Sequence, residues 1–178
     1  MSVHPVTQLR RYDERFQQLA RALPTGAAAA GTVWRGIAFR IGNARLTSSM
    51  EQVREVLTDP LISRVPGSKP WVRGLANVRG RLVTVVDLPF FLKMERAAIA
   101  RGMRALLVES GDLSVGLLVD QVYGARQFAE ADRSDELHDI PDALRPYVSS
   151  RMTASEESWD VLDLSRILAD PAFLNAAA

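Results

Sequence analysis

The sequence of 178 residues has no cysteine, only two lysines and only two histidines. The absence of cysteine excludes disulfide bonds, thiolate nucleophiles and thiolate metal ligands. No apolar run approaches the roughly 18 residues that a membrane-spanning helix needs. The N-terminal residues alternate apolar and charged side chains, which is not the pattern of a signal peptide. We therefore expect a soluble, cytoplasmic protein without direct membrane insertion.

The sequence also has no large excess of basic over acidic residues. The chain has 22 basic and 21 acidic residues, for a net charge of +1, and the basic residues are almost all arginine. A balance this close to zero gives no overall field toward nucleic acid, and we do not expect nucleic acid among the partners. The hydrophobic fraction of 47% is ordinary for a soluble globular protein.

The scarcity of histidine argues against a hydrolase. His4 is close to the N-terminus and His138 lies in a polar stretch, and the sequence contains no G-x-S-x-G motif. The acidic residues around His138 lack the order of a calcium-binding EF-hand loop. A solvated loop or short helix is the simpler interpretation of that stretch.

The stretch WVRGLANVRGRLVTVVDLPFFL, residues 71–92, repeats V-R-G and places glycines beside arginines. It is not a P-loop, because five residues separate the glycines and no Lys-Ser or Lys-Thr follows. The glycines also precede a strand, whereas those of a dinucleotide-binding loop follow one. Asp87 and Asp120 are better explained as a helix cap and a solvent- or arginine-facing side chain than as paired catalytic acids. We expect no catalytic, cofactor-binding or metal-binding residues, and the protein is not predicted to be an enzyme.

Residues 1–31 are predicted to form an N-terminal amphipathic helix and a linker. Apolar residues recur at intervals of three and four between Thr7 and Leu23, and PTGAAAAG then breaks the period. Such a helix either docks on its own domain or contacts a partner, and the sequence leaves both open. The main domain is expected to span residues 32–178, including a short C-terminal tail.

The main domain is predicted to be mainly β. Alternating residues before Gly42-Asn43, and apolar runs on both sides of Ser110-Gly111-Asp112, indicate β-hairpins. The segment SSMEQVREVL, residues 48–57, is predicted to be a short helix, with Ser48 and Glu51 spaced as a capping box. The helices are too short for the crossovers of a parallel α/β sheet.

Two segments share one pattern, which suggests two similar subdomains. VVDLPFFL (Val85–Leu92) and VLDLSRIL (Val161–Leu168) both place an aspartate after an apolar run. The pattern predicts a strand whose terminal aspartate caps a helical turn, and Pro89 suits the first turn of that helix.

With these segments in place, the chain resembles the CheW-like domain family of bacterial chemotaxis adaptors and kinase regulatory domains. The family has a characteristic order of motifs: a proline-glycine loop, V-x-G, N-φ-R-G and a strand that ends in V-D-L. The chain matches these motifs in the same order between Pro66 and Leu88. Val53–Val56 matches the V-x-E-φ signature, which is expected to be helical. Gly116–Val122 matches the strand signature G-φ-φ-V-D-x-V. The resemblance runs from about Trp34 to Leu168, with a departure at ARLTSSM, residues 44–50. The N-terminal helix and C-terminal tail are similar to those of the type IV pilus twitching-motility branch.

The resemblance implies a fold of two intertwined SH3-like five-stranded β-barrels with short helices. It implies a non-enzymatic adaptor without cofactors, which joins the cytoplasmic domain of a methyl-accepting chemoreceptor to the CheW-like regulatory domain of a CheA-type histidine kinase. The expected location is the cytoplasm, with recruitment to membrane-associated receptor arrays at the cell pole. The alternatives are a flagellar chemotaxis adaptor or a regulatory domain that binds a small ligand between the barrels.

The resemblance also implies a partner-binding surface. We expect Glu55 and Arg79 to pair at the junction of the two barrels and to support a receptor-binding groove. The predicted partner-binding residues are Glu55, Arg73, Gly74, Leu75, Asn77, Val78, Arg79 and Gly80.

Overall fold

The computed structural model describes residues 32–95, 102–154 and 156–176, and these residues form two curled six-stranded β-sheets. The predicted N-terminal helix and linker lie outside the described residues. Most strands pair antiparallel with a neighbour through a hairpin. The prediction of a mainly β fold is therefore confirmed.

The first sheet is built from both ends of the described chain. Its strand order is β10-β11-β12-β2-β1-β9. The strands are β1 (Val33–Ile41), β2 (Ala44–Ser49), β9 (Gln121–Ala129), β10 (Arg133–Ser134), β11 (Val148–Ala154) and β12 (Glu157–Leu162).

The second sheet is built entirely from the middle of the chain. Its strand order is β3-β7-β8-β6-β5-β4. The strands are β3 (Glu55–Thr58), β4 (Ile62–Ser63), β5 (Val72–Val78), β6 (Arg81–Asp87), β7 (Arg104–Ser110) and β8 (Leu113–Val119).

This order makes the two halves intertwined, as expected. The chain begins in the first sheet, completes the second sheet and then returns to finish the first. Each sheet has five longer strands and one strand of two residues, β10 or β4. The expected five-stranded barrels are thus each extended by one short edge strand, and short edge strands limit unwanted pairing with other chains.

The repeated strand-and-cap pattern occupies equivalent places in the two sheets. Asp87 ends β6 and its carboxylate accepts a hydrogen bond from Phe90 N, at the start of α1 (Leu88–Phe91). Asp163 follows β12 and caps α2 (Leu164–Leu168) in the same way. Both β6 and β12 pair antiparallel on one side and parallel on the other. The two predicted aspartate caps are confirmed.

The largest hydrophobic core combines side chains from both sheets. It includes Phe39 and Leu46 from the first sheet and Val86 and Leu117 from the second, all at most 1% exposed. Each sheet also has a smaller core of its own, around Trp159 in the first and Val85 in the second. Because the shared core is the largest, burial of apolar surface stabilises the two barrels as one folding unit.

The predicted helix over residues 48–57 is wrong. Ser48 belongs to β2, and its hydroxyl donates to the carbonyl of Leu162 in β12 at 2.7 Å instead of capping a helix. Residues 55–58 form β3, which pairs antiparallel with β7. The β-branched residues of this segment favour a strand, and the free edge of β7 provides the partner that stabilises it.

Candidate functional site

The predicted partner-binding residues all lie on the second sheet. Glu55 begins β3, whereas the other seven lie on β5 or in the turn that joins β5 to β6. The sheet positions them in two groups, one at the β5–β6 turn and one at the start of β5. The two groups have different surroundings.

The β5–β6 turn has the backbone of a tight hairpin. Its two central residues, Arg79 and Gly80, have φ angles of 51° and 83°. Positive φ at both central positions is the geometry of a type I′ turn, which matches the twist of the flanking strands. The side chain of Asn77 accepts a hydrogen bond from Gly80 N at 2.8 Å, so the N-φ-R-G signature encodes the turn itself.

The turn brings Arg79 to Glu55. Arg79 Nη2 lies 2.9 Å from Glu55 Oε1, with side-chain exposures of 81% and 32%. The expectation that these residues pair is confirmed, but their expected place is wrong. Both belong to the second sheet rather than to the junction of the barrels, and Glu55 lies on a strand rather than on a helix.

A second carboxylate on the same sheet makes further charge contacts that the sequence did not indicate. Glu109, at the end of β7, lies 3.7 Å from Arg54 and 3.6 Å from Arg81. Both arginines are more than two-thirds exposed, whereas the carboxylate is 31% exposed. Three arginines therefore face solvent above two partly covered glutamates. The strand pairing that brings them together is long-range, and no local motif announces it.

Two exposed apolar side chains also lie at this end of the second sheet. Leu82 pairs across the hairpin with Asn77 and is 70% exposed, and Leu61, next to β4, is 92% exposed. Val78, by contrast, turns inward and packs on the core of the second sheet. We call the exposed part the docking face, defined by Arg54, Glu55, Leu61, Asn77, Arg79, Gly80, Arg81, Leu82 and Glu109. Protein interfaces commonly combine exposed apolar side chains with arginine.

The start of β5 is organised differently. Gly74 has a φ of 139° and lies within β5 at a bulge, so it belongs to the strand and does not precede it as the sequence indicated. A Cβ at this position would collide with the carbonyl oxygen of Ser63 on β4, which explains the glycine. Leu75 is half-buried between its strand neighbours. Arg73 is six residues from Arg79, which is about 20 Å along a strand, so it does not belong to the docking face.

The two aspartates considered as paired acids serve structural roles. Asp87 caps α1, and Asp120 accepts a hydrogen bond from Gly42 N at 2.6 Å and lies 3.8 Å from Arg40. Burial raises the pKa of Asp87, the hydrogen bond from Phe90 opposes this rise, and the charge of Asp120 adds to it. The expected cap and arginine contact are both observed.

No group of three or more metal-binding side chains occurs among residues 32–95, 102–154 and 156–176. Within the same ranges, the helices are too short to cross a bilayer. One cleft of about 530 Å³ lies between the β1–β2 turn, the residues after α1 and the β11–β12 hairpin. It is lined by charges of both signs, including Arg45, Arg151 and Asp160, and Arg151 Nε is already paired with Asp160 at 2.7 Å.

Similarity to known proteins was found along nearly the whole chain. The chain is 36% identical to Protein PilI of Pseudomonas aeruginosa, over 97% of this chain and 96% of that protein. It is 33% identical to Protein FrzA of Myxococcus xanthus, over 53% of this chain and 59% of that protein. It is 30% identical to the chemotaxis protein CheW of Thermotoga maritima, over 53% of this chain and 62% of that protein.

The fold matches a solved structure as well. The scaffolding protein TtCheW from Thermoanaerobacter tengcongensis superposes with a TM-score of 0.65 at 19% identity, over 74% of this chain and 90% of that chain. Residues 35–172 match the sequence pattern of the CheW-like domain. The match covers most of both sheets, the docking face, α1 and α2, and the chain belongs to the CheW-like domain family.

Proposed function

We propose that the protein is a non-enzymatic adaptor that couples the cytoplasmic domain of a methyl-accepting chemoreceptor to the regulatory domain of a CheA-type histidine kinase. The observation that carries this proposal is the docking face. Leucine and arginine side chains are exposed there on paired strands, and no metal-binding cluster lies among the described residues. Such a surface supplies interface area and orientation rather than chemistry.

The Glu55–Arg79 pair is better suited to binding than to stability. An exposed ion pair contributes about 0–1 kcal/mol to folding, because water and salt screen it. When a partner covers the pair, water is excluded and the geometry of both side chains becomes important for the complex. We therefore expect the pair to orient the surface that the partner meets, with Leu61 and Leu82 as apolar contacts.

A double-mutant cycle tests this role. The single variants Glu55→Ala and Arg79→Ala and the double variant are titrated with the chemoreceptor fragment by calorimetry. We expect a coupling energy of about 1 kcal/mol in binding, and changes in the free energy of unfolding of about 0.5 kcal/mol or less. The Asp142–Arg145 ion pair, which lies 3.6 Å apart in a different segment, provides the matched control. A coupling energy of zero contradicts the proposed role of the pair.

The coupling role itself requires two partners. Pull-down with the chemoreceptor fragment and, separately, with the kinase regulatory domain should recover the protein in each case. If neither binds at concentrations of about 10 µM, where weak signalling complexes still form, the coupling role is abandoned. Binding of a small ligand without either protein would support the regulatory-domain alternative.

We also propose that the pathway is type IV pilus twitching motility, with recruitment to receptor arrays at the cell pole. The similarity to PilI extends over 97% of the chain, whereas the similarity to CheW of Thermotoga maritima extends over 53%. Deletion of the gene should abolish twitching and leave swimming intact. Loss of swimming with normal twitching would support the flagellar alternative.

A further inference from the structure

A second surface of the protein carries a strong local charge. A cleft of about 310 Å³ lies between the proline-glycine loop and the start of β5. Arg64, Lys69 and Arg73 line it together with neutral residues, and none of the described residues that line it is acidic. In a chain whose net charge is only +1, three cations around one small cleft are a marked concentration of positive charge.

The backbone that holds these cations is braced. Lys69 N donates to the carbonyl of Ala176 at 2.9 Å, and the carbonyl of Lys69 accepts from Val72 N at 2.9 Å. The hydroxyl of Ser68 donates to the carbonyl of Val65 at 2.8 Å. The loop is therefore tied to itself and to the C-terminal segment, and a ligand would not have to order it on binding.

Arg73 is one of the three cations that line the cleft, and it is partly buried. Its side chain is 19% exposed, and its Nη1 lies 3.9 Å from Asp87 Oδ2, which is beyond hydrogen-bonding distance. Asp87 thus holds the guanidinium in place by charge, while the planar fork keeps donors for another acceptor. Arg64 is exposed and Lys69 half-buried at the sides of the same cleft.

We propose that this cleft binds the carboxylates of an acidic segment of a protein partner. Arginine pairs with carboxylates through two parallel hydrogen bonds, and two further cations nearby favour more than one negative charge. Nucleic acid is not favoured, because the chain as a whole has no basic excess that would attract a long polyanion. The residues that line the cleft are different from those that define the docking face, so the inference does not depend on the coupling proposal.

Titration with two capped peptides tests the proposal. Tetraglutamate and tetraglutamine are added separately to the 15N-labelled full chain, and backbone amide shifts are followed. We expect tetraglutamate to shift the amides of residues 67–69 and 71–74, with an affinity that falls as salt is raised. Tetraglutamine should give no shifts at the same concentration. Equal shifts from both peptides, or shifts confined to other residues, overturn the proposal.

Three variants locate the site. Lys69→Gln and Arg64→Gln should each weaken tetraglutamate binding by about tenfold, while circular dichroism and melting temperature remain those of the parent chain. Arg145→Gln removes the same charge from a residue that does not line the cleft and should leave the affinity unchanged. An equal loss in Arg145→Gln shows a general charge effect and contradicts the site.

Inorganic phosphate separates the two sources of negative charge. Phosphate should displace tetraglutamate only at concentrations far above those of the peptide, because a single phosphate does not span three cations. Displacement at equal concentration would make the cleft a simple anion site and would overturn its assignment to an acidic peptide.

Discussion

Two residues of the β5–β6 hairpin are glycine for different reasons. Gly74 and Gly80 both have positive φ, but a Cβ on Gly74 meets the backbone of Ser63, whereas nothing lies within 4 Å of a Cβ on Gly80. Only Gly74 therefore combines a conformational requirement with a close approach of another strand. The V-R-G repeat looks uniform in the sequence, but the structure gives its two glycines different roles.

The matched variants Gly74→Ala and Gly80→Ala test this difference. We expect Gly80→Ala to lower the free energy of unfolding by about 1 kcal/mol, from the positive φ alone. Gly74→Ala should lower the free energy of unfolding by about 3 kcal/mol or more. The added Cβ there meets the backbone of Ser63, and this clash adds to the cost of the positive φ. Urea denaturation measures both changes. Equal losses would contradict the close approach of β4 and β5.

Tyr147 and Asp170 form a contact whose effect depends on pH. Tyr147 Oη donates to Asp170 Oδ2 at 2.5 Å. Burial, and then this hydrogen bond, raise the pKa of Tyr147 to about 12. The same hydrogen bond is the main reason that the pKa of Asp170 is lowered. The neutral phenol and the ionised carboxylate are therefore the forms that the fold stabilises.

Tyr147→Phe should reduce the free energy of unfolding by about 1 kcal/mol at neutral pH. Because the pKa of Asp170 is lowered in the fold, its contribution is lost as the pH falls through that value. Because the pKa of Tyr147 is raised, its contribution is lost as the pH rises from 10.0 toward about 12. The difference in the free energy of unfolding between the parent chain and Tyr147→Phe should therefore shrink at both low and high pH. A difference that is constant with pH would contradict the contact.

At the scale of elements, the C-terminal helix packs against the residues on either side of the β5–β6 hairpin. The short helix α3 (Pro171–Leu174) is held on the second sheet by three rings, with Phe173 stacked on Trp71 at 5.5 Å and edge-on to Phe91 at 5.1 Å. Trp71 directly precedes β5. The C-terminal segment is thus part of the packing that positions the start of the motif strand.

Phe173→Ala tests that contribution. The ring is 4% exposed, and we expect a loss of about 3–4 kcal/mol in the free energy of unfolding. Leu174→Ala, in the same helix but at a side chain that is 60% exposed, should change it by about 0.5 kcal/mol or less. Similar losses for the two variants would show that α3 is not packed through its phenylalanine.

The sequence predicts elements well where the signal is local. Asp87 and Asp163 were identified as caps because an aspartate before a helical turn satisfies backbone donors within three residues. The segment over residues 48–57 failed for the opposite reason. Its strand depends on β7, which begins far along the chain, and Ser48 bonds to β12 rather than to its own helix. Tertiary partners overrode a local capping pattern there.

At the scale of the whole molecule, the difference between local sequence signals and long-range contacts explains which residues of the docking face were predicted. The N-φ-R-G motif identifies the hairpin turn, and Glu55 and Arg79 were both expected from motif positions. Glu109 and Leu61 were not, because their nearness to the turn is a product of the order of strands in the second sheet. Motifs therefore located the docking face, and only the fold defined its extent.

The most direct test of the adaptor proposal is kinase autophosphorylation in a reconstituted mixture of chemoreceptor fragment, CheA-type kinase and this protein. We predict that receptor control of the kinase requires the protein, and that Arg79→Ala weakens this control while the kinase alone is unaffected. The same control in the presence and absence of the protein would contradict the adaptor function.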